Sequence, residues 1–127
     1  MLSCKERNVL IVDDEPAIRD ILTRIISNKG HQTHAAPNGK SALAELGARA
    51  YDLLIVDLKM AGLSGKKLYE TLNKEQPETA NKIVFITGDT MAEESNDFLI
   101  SSGRPYLAKP FNPEELIDIV EKELAAR

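Results

Sequence analysis

The chain has 127 residues, enough for one compact domain with a single core, and its 43% hydrophobic and 28% charged residues are ordinary for a globular protein. A net charge of −4 supplies no basic stripe for nucleic acid, and no apolar run is long enough to cross a bilayer. The opening residues lack the apolar stretch of a signal peptide, and the one cysteine, Cys4, has no internal disulfide partner, so the cytoplasm is the expected compartment and Cys4 an incidental thiol.

The first element in chain order is an apolar run, NVLIVDD (8–14), which reads as a strand and ends in three adjacent acids, Asp13, Asp14 and Glu15. Crowded carboxylates repel one another, and burying even one is costly, so something must compensate them. Ile18, Ile21, Leu22, Ile25 and Ile26 then recur at helical spacing, giving one apolar face, and Gly30 stops that helix. HQTHAAP (31–37) is a weaker and more polar strand, expected at a sheet edge, with His31 and His34 solvated there and away from any cleft. Asn38 caps a second helix carrying Ala42, Leu43 and Leu46.

YDLLIVD (51–57) is a continuous apolar strand, and Ser64 to Asn73 reads as a third helix with Leu68 and Leu72 inward. KIVFITG (82–88) is another continuous strand, followed by Thr90 and Glu93 at the spacing of a capping box for a fourth helix. PYLAKP (105–110) is the last and shortest strand. Asn112, Pro113, Glu114 and Glu115 begin the final helix, with a capping Asn, a first-turn Pro and acids near the positive helix end, and Leu116, Val120 and Leu124 share its buried face.

Continuous rather than alternating strands are covered on both faces, so five β-α units predict a parallel sheet with right-handed crossovers and helices on both sides. Ligands of such sheets bind at the carboxyl ends of the strands. The residues at those ends are Asp13 and Asp14, Asp57, Thr87 and Lys109. Three carboxylates in one cleft suit a hard divalent cation, and Mg²⁺ fits because it needs few direct carboxylates and keeps several waters. Acids, metal, ammonium and hydroxyl together are what a transferring phosphoryl group requires. Each residue also has an ordinary reading when taken alone. Asp13 and Asp14 are then helix N-terminal acids, Asp57 a solvated strand end, Thr87 a turn residue, Tyr106 edge packing and Lys109 a surface charge.

Taken together, the pair Asp13-Asp14, Asp57 in LLIVDLKM, Gly65 in the following loop, Thr87 in ITGD and Lys109 in YLAKPF resemble a two-component response-regulator receiver domain over essentially the whole chain. The segments FITGDT and RPYLAKPF are similar to receivers attached to hybrid sensor kinases. The resemblance implies one flavodoxin-like domain, residues 1–127, with a doubly wound (βα)5 sheet of order 2-1-3-4-5. It implies that Asp57 accepts a phosphoryl group from a histidine kinase or a histidine phosphotransfer protein. It further implies that Asp14, Asp57 and the Lys59 carbonyl hold Mg²⁺, with Asp13 acting largely through water. Lys109 and Thr87 would contact the phosphoryl oxygens, and Tyr106 would be a switch aromatic turning inward when Thr87 moves. The Lys109-Pro110 bond would be cis. The chain would catalyse its own phosphorylation and slow dephosphorylation and act through protein contacts or onward transfer.

Two features depart from the family pattern. Met60-Ala61-Gly62 stands where Met-Pro-Gly is usual, and Lys59 and Asp89 offer an ion pair across the expected water path. The competing reading is a Mg²⁺-dependent small-molecule phosphohydrolase working through an aspartyl-phosphate. It needs an acid two residues after the nucleophile, where this chain has Lys59. A degenerate receiver serving only for docking is disfavoured by the full acid, Thr and Lys set, and neither G-x-G-x-x-G nor a P-loop supports nucleotide binding.

Overall fold

The apolar runs become the strands of one parallel sheet in a computed structural model that describes residues 7–60, 62–88 and 93–126. The strands are β1 (Asn8–Val12), β2 (Gln32–Ala36), β3 (Leu53–Asp57), β4 (Ile83–Thr87) and β5 (Tyr106–Ala108), in spatial order β2-β1-β3-β4-β5. The helices are α1 (Pro16–Ser27), α2 (Gly39–Ala48), α3 (Gly65–Glu75), α4 (Pro77–Ala80), α5 (Glu93–Ser102) and α6 (Pro113–Ala125). This is the five-stranded parallel sheet that the β-α alternation predicts, in the doubly wound, flavodoxin-like order that the resemblance implies. Cys4, Ala61, Asp89 and Thr90 lie outside the described residues, and with them the Thr90 capping box and the Lys59–Asp89 pair.

Strand geometry explains the continuous apolar runs. Alternate side chains point to opposite faces of a sheet, so a strand covered on both sides must be apolar at every position. Val9, Ile11, Leu53, Ile55, Val84 and Ile86 pack with Leu22 and Ile26 of α1 and Leu116, Val120 and Leu124 of α6. Leu10, Val12, Leu54, Val56, Ile83 and Phe85 face the other way, against Ala42 of α2, Leu68 and Leu72 of α3, and Phe98 and Leu99 of α5. Tyr69, Phe85 and Phe98 meet edge to face on that second side, with ring centroids 5.4–6.0 Å apart.

Several local expectations change. Ile21, assigned to the apolar face of α1, is 46% exposed, because only Leu22 and Ile26 turn fully toward the sheet. Of the two histidines, His31 is largely buried and His34 is partly exposed. His31 has a side chain only 9% exposed, with Glu121 of α6 at 3.6 Å, and His34 meets Arg49 at 2.8 Å and stacks edge-on with Tyr51. The single-turn α4 lies between α3 and β4, where no apolar periodicity announces it. Asn38 caps α2 as the sequence indicates, Ser64 caps α3 instead of opening it, and α6 carries a complete capping box between Asn112 and Glu115.

Candidate functional site

Register brings the strand ends together. Val12 pairs with Val56, Asp57 with Ile86 and Thr87 with Ala108, so β1, β3, β4 and β5 finish side by side. Asp57 and Thr87 are the last residues of their strands, Asp13 follows β1 and Lys109 follows β5. The Lys109 N–H donates to the Thr87 carbonyl at 2.8 Å, extending the β4–β5 ladder to the lysine itself. The Lys109-Pro110 peptide bond is cis.

Asp13, Asp57 and Thr87 are the buried polar residues of the described chain, at 1%, 5% and 1% exposure. Asp14 and Glu15 are exposed at the rim. One carboxylate oxygen from each of Asp13, Asp14, Glu15 and Asp57 falls within 4.8 Å of the others. Asp13 Oδ1 accepts from the Glu15 N–H at 2.9 Å, but the buried Asp13 Oδ2 has no hydrogen-bond partner among the described residues. The Lys109 ammonium stands 3.6 Å from it and 3.7 Å from Asp57 Oδ2. Asp57 Oδ1 accepts from the Lys59 N–H at 3.3 Å, which brings the Lys59 backbone to the cleft while its side chain faces solvent.

The electrostatics follow from this crowding. Burial, then the Asp13 charge, push the Asp57 carboxyl up to about 6, although Lys109 and the Lys59 N–H draw it down. Burial pulls the Lys109 ammonium down, but a hydrogen bond to Glu15 and the charges of Asp57 and Asp13 outweigh it, leaving its pKa raised. The four acids thus need more positive charge than one lysine supplies. A buried, unbonded carboxylate oxygen inside such a cluster is the place a hard cation with oxygen ligands would fill. The donor set therefore fits Mg²⁺.

The loop after Asp57 is shaped around it. A Cβ on Gly65 would overlap the Asp57 carbonyl oxygen and stand 2.9 Å from Leu58 Cα, so only glycine lets α3 begin there. The helix is tied back by the Gly65 N–H, which donates to the Leu58 carbonyl at 3.1 Å.

The chain matches the model of the response regulator receiver domain over residues 9–121. It belongs to that family. Among its relatives are the nitrogen assimilation regulatory protein NtrX of Azorhizobium caulinodans, 32% identical over 92% of this chain, and the sensor histidine kinase GacS of Pseudomonas protegens, 32% identical over 95%. The chain spans only 26% and 14% of those two proteins. A solved CheY-like receiver domain protein from Methanospirillum hungatei superposes with a TM-score of 0.86 at 28% identity, covering 96% of each chain. The chain is thus a receiver domain of two-component signalling with an acidic pocket and Lys109, consistent with a phosphoaccepting role, and a receiver implies a kinase partner. A regulator and a sensor kinase match it at equal identity. Among the described residues no helix is long and apolar enough to cross a membrane.

Among the residues predicted for this site, Asp13, Asp14, Asp57 and Lys109 converge on the cleft, and Thr87 ends β4 beside them. Tyr106 is 45% exposed and faces outward. Two further residues join the site. Arg19 donates to the Asp13 carbonyl at 2.7 Å, and Glu15 accepts from Lys109 at 3.1 Å. Glu15 was visible as the third acid of the run. Arg19, one of many charges on α1, carried no signal of its own.

Proposed function

We propose that residues 1–127 act as one receiver domain in which Asp57 accepts a phosphoryl group from the phosphohistidine of a kinase or histidine phosphotransfer protein. The observation that carries this reading is the burial of Asp57 between Asp13 and the Lys109 ammonium at the aligned strand ends. In the transfer, an Asp57 oxygen attacks phosphorus, the new O–P bond forms as the P–N bond of the donor breaks, and the histidine leaves with the electron pair. Asp14, Asp57 and the Lys59 carbonyl would hold Mg²⁺, with Asp13 reaching it through water. Bound there, the ion neutralises charge on the phosphoryl oxygens and keeps Asp57 ionised. Lys109 supplies a fixed positive charge to one phosphoryl oxygen, and the Thr87 hydroxyl donates to another.

The NtrX and GacS names connect relatives of this domain with regulation and with a sensor histidine kinase, which supports placement in a relay. The small-molecule phosphohydrolase gains no support, since Lys59 is a cation where that chemistry needs an acid. Acetyl phosphate with Mg²⁺ should add one phosphoryl mass to the wild type and none to Asp57→Asn, read by intact mass. Equal labelling of the variant would refute the assignment. Asp14→Ala should lose Mg²⁺ binding and phosphorylation together, and a variant that titrates with Mg²⁺ like the wild type would remove Asp14 from the metal site.

A further inference from the structure

Glu15 occupies an unusual position for its residue type. It is the N-cap of α1, where a short side chain normally accepts a hydrogen bond from the first helical turn, yet Glu15 makes no such side-chain bond. Its carboxylate instead reaches a lysine 94 residues away, accepting from Lys109 Nζ at 3.1 Å. The same ammonium stands farther from the two buried acids, at 3.6 Å from Asp13 and 3.7 Å from Asp57. The lysine is therefore hydrogen-bonded to the exposed rim of the cleft, and the buried Asp13 Oδ2 is left without a hydrogen bond.

We infer that Glu15 is a positioning residue that holds the Lys109 ammonium at the rim until a phosphoryl group on Asp57 takes it inward. The inference rests on Asp57 being the phosphoacceptor. A phosphoryl oxygen near Asp57 competes with Glu15 for the same N–H donors, and the Glu15 carboxylate, 60% exposed, is resolvated by water when it loses. Glu15 then sets how readily the cleft accepts the phosphoryl group through its hold on Lys109. Charge alone does not carry this role, because reach matters. An aspartate at position 15 keeps the negative charge but is one methylene shorter, and at an N-cap it turns toward the helix N–H groups and away from Lys109.

The test compares wild type, Glu15→Gln and Glu15→Asp for affinity toward beryllofluoride with saturating Mg²⁺, for Mg²⁺ affinity alone, and for the ¹⁵N resonance of the Lys109 ammonium. Both variants should bind beryllofluoride more tightly, by up to about fivefold, the upper range for releasing an exposed ion pair. Glu15→Asp keeps the charge of the acidic cluster and should keep Mg²⁺ affinity near the wild type, Glu15→Gln should weaken it without abolishing it, and the Lys109 signal should move in both variants before beryllofluoride is added. On a Lys109→Gln background, Glu15→Asp should have no further effect on beryllofluoride affinity. Tighter binding in Glu15→Gln alone would show a pure charge effect and overturn the inference. So would weaker binding in either variant, loss of Mg²⁺ affinity in both, or an undiminished Glu15→Asp effect without Lys109. If Asp57→Asn binds beryllofluoride as well as the wild type, the phosphoacceptor reading fails and the role of Glu15 fails with it.

Discussion

At the scale of single residues, the cleft is a balance between burial and charge, and Asp57 shows it best. Its carboxyl is held up at about 6 against an ordinary value of 3.8, by burial first and by Asp13 next. Because the folded form binds this proton more tightly than the unfolded chain, Asp57 favours folding below about pH 4, and that contribution fades as pH rises through about 6. A shift of this size corresponds to about 2–3 kcal/mol at neutral pH. In metal-free buffer at pH 7, Asp57→Asn should therefore unfold at a higher temperature than the wild type, and the gap should close as the pH falls from 7 to 4. Saturating Mg²⁺ should narrow it too. Calorimetric melts across that range check this, and a pH-independent gap would show that Asp57 carries no raised pKa. Asp13, Asp14, Asp57 and Lys109 were legible in the sequence because each closes a recognisable strand. Arg19 was not, because a backbone carbonyl as its partner leaves no mark on residue spacing, and the connection of Glu15 to Lys109 depends on the fold bringing β1 and β5 to the same end.

At the scale of elements, legibility follows how completely each one is buried. The continuous strands β1, β3 and β4 were readable because both faces are covered, and α6 because its capping box is written in Asn112-Pro113-Glu114-Glu115. The short α4 escaped because four residues cannot show a 3.6-residue period. The edge strand β2 was recognised, but the burial of His31 just before it was missed, because α6 covers it through a contact between segments distant in sequence. The α6 cap permits a test that separates stability from chemistry. Asn112 Oδ1 accepts from the Glu115 N–H at 2.8 Å, and Glu115 returns a bond to the Asn112 N–H at 3.1 Å. Asn112→Ala removes the first of these and should cost about 1 kcal/mol in urea unfolding. Its phosphorylation by acetyl phosphate, measured under folding conditions, should equal that of the wild type. A large loss of phosphorylation would mean that the start of α6 controls the cleft through the Lys109 loop.

At the scale of the whole molecule, packing is uneven, and that unevenness decides which way a signal can travel. Every residue of β3 and β4 is buried, so the centre of the sheet is held on both faces. The β5 edge is different. It has three residues, of which Tyr106 and Ala108 are exposed, and Ile100 of the neighbouring α5 is 71% exposed. Loosely covered edge elements are the ones that move at least cost. Thr87 joins the rigid and the loose parts, since it is buried at the end of β4 and pairs with Ala108, while Phe85 pairs with Tyr106. On the proposed reading, a phosphoryl group on Asp57 would add negative charge and three acceptor oxygens at the strand ends where Thr87 is buried. On that reading, drawing the Thr87 hydroxyl toward the cleft would vacate space on the β5 side for the exposed Tyr106 ring to turn into. Addition of beryllofluoride and Mg²⁺ should therefore shift amide resonances along β4, β5, α5 and the start of α6 as well as in the cleft. The far part of the opposite edge, β2, should shift less, because β1 stands between it and the site, whereas Ala36 at its end accepts from the Asp13 N–H at 3.2 Å and should respond. Thr87→Ala should keep the shifts around Asp57 and lose those at Tyr106, since the charge remains and the hydroxyl that reports it is gone. If the wild-type shifts stop at the cleft, or if Thr87→Ala leaves the Tyr106 response intact, then the phosphoryl group is carried without this switch.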